Sequence, residues 1–108
     1  MAKVDRGGKP KLDIEGYMLR FLRERSALPV PEVLWSEPKA LLMTFEPGDS
    51  HFSARGQAHA AELLAALHSV AAPACGLERD TLIGGLHQPN PNSTSWIDFF
   101  REHRLLHM

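Results

Sequence analysis

Read as an alternation of apolar and polar positions, the chain divides into short elements separated by Gly and Pro. Ala2-Lys3-Val4 has the character of a strand stub. It runs into Asp5-Arg6-Gly7-Gly8-Lys9-Pro10, a turn or loop by its Gly and Pro content. Ile14, Tyr17, Met18, Phe21 and Leu22 then recur at i, i+3, i+4, i+7 and i+8, which predicts a helix over Leu12 to Arg25. Asp13 near its start and Arg23 and Arg25 near its end suit the helix dipole. Pro29 and Pro31 forbid its continuation. Glu32 to Trp35 reads as a short strand and Ser36-Glu37-Pro38-Lys39 as a turn. Ala40 to Phe45 reads as a second, apolar strand, expected to be central and buried on both faces. Two strands so joined predict an antiparallel hairpin, which Pro47-Gly48 ends at once.

Ser53 is a plausible N-cap for a helix reaching about Val70, with Ala60, Leu63, Leu64, Leu67 and Ala71 at helical spacing. Ala71 to Pro91 reads as one long connection, beyond the usual loop length. Ser95-Trp96-Ile97-Asp98 resembles a capping box and opens a last helix through Phe99 and Phe100. The first strand has no visible partner before it. The last helix carries more apolar surface than 108 residues easily cover, so both ends read as cut.

Composition narrows the class. Apolar residues make up 44% and charged residues 23%, ordinary globular values. The net charge is −1 and no block of Lys or Arg stands out, so a nucleic-acid or anionic-membrane partner is not expected. The longest fully apolar run, Ala40 to Met43, is far too short to cross a bilayer. A single cysteine, Cys75, and an opening without an apolar leader-like segment make a reducing compartment, the cytoplasm, the default expectation. His103 and His107 have a metal-compatible i, i+4 spacing, but no third ligand is evident and they read as solvated surface. No metal site is expected. Gly84-Gly85 is too short to be a phosphate loop, and no Gly-x-Gly-x-x-Gly occurs.

What remains is an order: a strand with Lys3, a helix with Glu15, two strands, a Pro-Gly break, then a helix. In phosphoryl transfer a strand lysine neutralises nucleotide phosphate and a helix glutamate holds that lysine in place. Taken alone, such a pair is as well read as two surface charges that never meet. Two further stretches give it a context. They are Gly76-Leu77-Glu78-Arg79-Asp80-Thr81-Leu82-Ile83-Gly84-Gly85-Leu86-His87-Gln88-Pro89-Asn90 and Trp96-Ile97-Asp98-Phe99-Phe100-Arg101-Glu102-His103-Arg104-Leu105. Together they resemble a segment of the fructosamine/ketosamine kinases, where an acidic-Asn-x-Ile-Gly run leads to Gln-x-Asn, Trp-x-x-Phe-Phe and Arg-Leu. Thr81 stands where that family often has Asn, and Cys75 where it often has Phe. Val30-Pro31-Glu32-Val33-Leu34, Leu42-Met43-Thr44-Phe45-Glu46 and Ala61 to His68 fit as well, so the resemblance runs from Lys3 to Leu105.

The resemblance implies an α+β, partial protein-kinase-like fold: the end of the antiparallel N-lobe sheet with its helix, the hinge, and the first C-lobe helices. Residues 1–46 would be partial N-lobe, and residues 47–108 hinge exit and partial C-lobe. The intact family uses ATP and Mg²⁺ to phosphorylate a sugar hydroxyl of a ketosamine, free or on a glycated protein. Lys3 and Glu15 would anchor phosphate, Met43 would back the adenine pocket, and Thr44, Phe45 and Glu46 would form the hinge. The family's His-Gly-Asp catalytic loop and its metal-binding Asp are not among these residues; the one Gly-Asp, Gly48-Asp49, follows Pro47. The chain alone is therefore expected to be inactive, to bind nucleotide weakly, and to be prone to self-association. The alternative is a kinase-derived binding module that docks a partner through a Trp96/Phe99/Phe100 face.

Overall fold

The computed structural model describes residues 1–107 and has two compact units, Met1–Val70 and Ala71–Met108. The first unit holds a three-stranded antiparallel sheet of β1 (Ala2–Val4), β3 (Ala40–Met43) and β2 (Val33–Glu37), in that order. The apolar strand is central, as its composition requires. Lys3 and Ser36 both oppose Leu41, and Val4 and Glu37 both oppose Ala40.

Three expectations need correction. The hairpin turn is only Pro38-Lys39, so Ser36 and Glu37 belong to β2. Proline is tolerated there because a turn position need not donate to the ladder. The central strand stops at Met43, although Thr44 N–H still donates to Glu32 C=O at 2.9 Å. And β3 is buried on one face only: Leu41 is 0% exposed while Leu42 is 41% exposed. A single helix covers this sheet, so the period-two alternation of a half-buried strand applies, not that of a strand between two layers.

That helix is α1 (Leu12–Arg25), which contacts β2 and β3. Its only buried residue is Gly16. It ends at Ser26, whose N–H and hydroxyl both donate to Leu22 C=O. α2 (Ala54–His68) begins at Ser53, whose hydroxyl accepts from Gly56 N–H at 3.0 Å. None of its residues is buried, and Leu64 is exposed.

In the second unit the expected long loop contains a hairpin, β4 (Thr81–Ile83) and β5 (Leu86–Gln88). Gly84-Gly85 connects them, and Gly84 has φ +58°, the left-handed conformation that a tight hairpin turn favours. Cys75 and Ser93 form an antiparallel bridge beyond it. Ser95 caps α3 (Trp96–Phe100), its hydroxyl accepting from Asp98 N–H at 3.3 Å. The helix then widens into a π segment, Arg101–Leu105, with Leu106 N–H bonded to Arg101 C=O. Phe99 is 3% exposed, and Thr81 and Asn90 are buried polar residues of the same unit. Among the described residues no helix is long and apolar enough to cross a membrane.

Candidate functional site: a lysine–glutamate pair beside the central strand

The site in the first unit is assembled by the hairpin turn. Lys39 C=O accepts from Asp5 N–H at 2.9 Å, and Pro38 C=O accepts from Leu12 N–H at 3.1 Å. The end of β1 and the start of α1 are thus tied to adjacent residues. Opposed residues of an antiparallel pair share a face, so Lys3 lies on the Leu41 side of the sheet. α1 lies against that side too, since the open position at Gly16 faces the Leu41 and Ser36 side chains. Helix and strand therefore bring Glu15 to Lys3, and Lys3 Nζ donates to Glu15 Oε1 at 2.6 Å. Their side chains remain 46% and 36% exposed. An ammonium has three N–H donors, so Lys3 keeps capacity for an incoming anion.

The residues that the sequence suggests as a hinge follow directly in the chain. Met43 is buried, and its carbonyl accepts from the Met1 amino group at 2.7 Å. The Thr44 hydroxyl accepts from Glu32 N–H at 2.9 Å and reaches Glu46 Oε1 at 3.4 Å. With its N–H on Glu32, Thr44 has its amide committed to the sheet. Phe45 is exposed, so it is no core residue.

The second unit holds a polar network to which sequence reading gave no role. Asn90 donates from Nδ2 to Thr81 Oγ1 at 2.9 Å and to Arg79 C=O at 3.2 Å, and accepts from Arg104 Nη2 at 2.6 Å. Thr81 donates to Gln88 Oε1 at 3.1 Å, and Arg104 Nη1 reaches Pro89 C=O at 2.8 Å. The Arg104 guanidinium also lies 4.8 Å from the Phe99 ring centre, and burial lowers its pKa below the ordinary arginine value. Asp80 accepts from Asn90 N–H and from His87, both at 2.9 Å; these bonds hold its carboxyl below the ordinary 3.8. Gln88, Asn90 and Arg104 were visible in the sequence only as a recurring pattern; their spacing there does not reveal that they bond across the hairpin. A groove of about 550 Å³ runs beside this network, lined by Ile83, Leu86, His87, Phe100, Arg104 and Leu105 among others.

The face proposed for docking is altered by the structure. Phe99 is turned inward, while Trp96 and Phe100 stay partly exposed, with ring centres 5.5 Å apart. His107 meets His87 C=O and His103 lies against Phe99. Among the described residues no three His, Cys, Asp or Glu side chains gather to hold a metal ion.

Comparison with known proteins gives these pieces a context. The sequence profile described as fructosamine kinase matches residues 6–108, beginning just after Lys3. A curated protein from Synechocystis sp., provisionally named a ketoamine kinase, is 54% identical over 43 residues, 39% of this chain and 15% of its own length. A crystal structure from Haemophilus somnus 129PT, provisionally named a fructosamine-3-kinase, superposes with a TM-score of 0.76 at 29% identity. It is matched by 95% of this chain, which spans 37% of that protein.

Proposed function

The chain belongs to the fructosamine kinase family, and from that premise we propose that it forms the nucleotide-anchoring part of an ATP-dependent kinase acting on a sugar hydroxyl of ketosamines, free or protein-bound. The observation that carries this reading is the 2.6 Å contact between Lys3 and Glu15. An exposed ion pair contributes only about 0–1 kcal/mol to stability, so stability alone gives this contact little to do. In phosphoryl transfer the same contact holds a lysine ready for nucleotide phosphate. Lys3 would meet the phosphates of ATP, Glu15 would orient Lys3, Met43 would wall the adenine, and the Thr44–Glu46 backbone would line its edge. ATP supplies the phosphoryl group and Mg²⁺ its charge neutralisation when both are bound. Residues 1–46 supply the N-lobe share and 47–108 the beginning of the C-lobe. The lone cysteine supports a cytoplasmic setting.

Without a catalytic aspartate or metal-binding acid the 108-residue chain is expected to show no phosphate transfer to any ketosamine. The reading is tested in a chimera carrying residues 1–108 in place of the matched part of the Haemophilus protein. The chimera should consume ATP with a ketosamine, and Lys3→Met should lower kcat/KM on the order of a hundredfold. Unchanged turnover in Lys3→Met would sink the assignment.

A second reading, a non-catalytic module that docks a partner, draws on the exposed Trp96 and Phe100 and on the groove beside Phe100 and Leu105. Phe99 has no part in it. The same apolar surface supports self-association of the isolated chain. Light scattering at high micromolar concentration should show oligomers, and Phe100→Ser with Leu105→Ser should restore a monomer.

A further inference from the structure

Three residues line up across the sheet beneath α1: Lys3 on β1, Leu41 on β3 and Ser36 on β2, each opposed to its neighbour. Helix α1 crosses this row. Glu15 meets its Lys3 end, and the next residue, Gly16, meets its Leu41–Ser36 end. A Cβ on Gly16 would collide with Ser36 Oγ, and would lie 2.9 Å from Ser36 Cβ and 3.3 Å from Leu41 Cδ1. The hydroxyl could rotate away, but Ser36 Cβ is fixed to the backbone of a paired strand. Reaching the ~3.5–4.0 Å of comfortable carbon–carbon contact would lift the helix by roughly 0.6–1.1 Å. Gly16 has no positive φ, so the close approach, not conformational freedom, is what calls for glycine here.

We propose that Gly16 is the positioning residue of the lysine–glutamate pair: its missing side chain seats α1 on the Ser36–Leu41 row at the height from which Glu15 reaches Lys3. The size of residue 36 sets that height jointly with residue 16. Lys3 and Glu15 are both partly solvated, so little packing would hold the pair once the helix rises. The functional meaning of the device rests on the phosphate-anchoring reading above; its geometry does not.

The test uses the full 108-residue chain with ¹³C labels on the Glu15 carboxyl and Lys3 Cε. The Glu15 carboxyl resonance is read at one neutral pH in the wild type, in Lys3→Met as the unpaired reference, and in Gly16→Ala, Ser36→Gly and the double variant. Gly16→Ala should move the Glu15 carboxyl resonance to its Lys3→Met position. Ser36→Gly, which removes both clashing atoms, should return it to wild type in the double variant. If Gly16→Ala does not fold, Ser36→Thr supplies the crowding from the sheet side and should uncouple the pair in the same way. A merely structural role would lower the melting temperature of these variants and leave the Glu15 resonance in place. That outcome, or a double variant that folds with the pair still uncoupled, would overturn the proposal. Adding ATP to the chimera described above, with Lys3 Cε labelled, gives the separate arm. A Lys3 Cε that ignores ATP in the chimera while the Glu15 resonances behave as expected refutes phosphate anchoring and leaves the positioning role standing.

Discussion

Asn90→Ala should unfold the second unit while the first stays folded. The side chain removed makes three hydrogen bonds, to Thr81 Oγ1, Arg79 C=O and the Arg104 guanidinium. Two are between neutral groups, at about 1 kcal/mol each, and the third involves a charge, at about 1.5–3 kcal/mol. The loss therefore comes to about 4 kcal/mol, and the partly buried Arg104 would be left with one acceptor fewer. Against it, a unit of under forty residues holds only a few kcal/mol at ~0.05–0.15 kcal/mol per residue. The perturbation is thus as large as the stability it acts on. Trp96 belongs to this unit and Trp35 to the other, so in a Trp35→Phe background the urea transition followed by fluorescence reports the second unit alone. Amide exchange at Ile83 and Leu86, the hydrogen-bonded pair that closes the Gly84-Gly85 turn, reads the β4–β5 hairpin directly. In Asn90→Ala these amides should exchange at the unfolded rate, while Leu41 and Met43 keep their protection. A transition displaced by less than about 1 kcal/mol, with the hairpin still protected, would show that the network is ornamental and the reasoning wrong.

Other expected outcomes follow from the same structure. Gly76→Ala should cost far more than Gly84→Ala, because a Cβ at Gly76 would sit 2.5 Å from Pro91 C=O at φ +104°, whereas Gly84 has open space at φ +58°; Gly84→Ala should cost about 1–2 kcal/mol by urea denaturation. Asp80 has its folded pKa lowered, so its contribution to stability is full above the unfolded value of 3.8 and is lost as pH falls through the lower folded value. An acid titration of the second unit should show this loss below about pH 4, and Asp80→Asn should flatten it. Ser53→Ala should lower the helicity of α2 by circular dichroism and cost about 1 kcal/mol through the lost cap.

Much of the first unit was legible because its signals are local. Five apolar positions at helical spacing mark α1, and Pro29 and Pro31 close it off. Burial is where the reading failed: Ala40 to Met43 looks double-sided, but only one layer covers it, and Leu42 pays no penalty for facing out. The β4–β5 hairpin was missed because three-residue strands are too short to display alternation; the Gly84-Gly85 pair between them was the available signal. For the site, order along the chain pointed to Lys3 and Glu15, since strand and helix phase bring them together. Register across the sheet, which places Ser36 under Gly16, depends on a two-residue turn where the sequence suggested four. The Asn90 and Arg104 contact was invisible because it joins residues fourteen apart through a hairpin that had been read as a loop.

The π segment has a consequence for chain length. An i+5 bond such as Leu106 to Arg101 encloses one residue more than the i+4 bond of an ordinary turn. The end of the last helix therefore carries a spare residue, whereas a deletion inside α2 would rotate every later side chain by about 100°. Glu102 is exposed, and its carboxylate lies against its neighbours Arg101 and His103. Removing it should let the helix tighten into an α turn and leave the following arginine still facing Asn90. Length at this one point is slack, held in reserve between an aromatic core and a guanidinium anchor, and a chain edited there should fold as before.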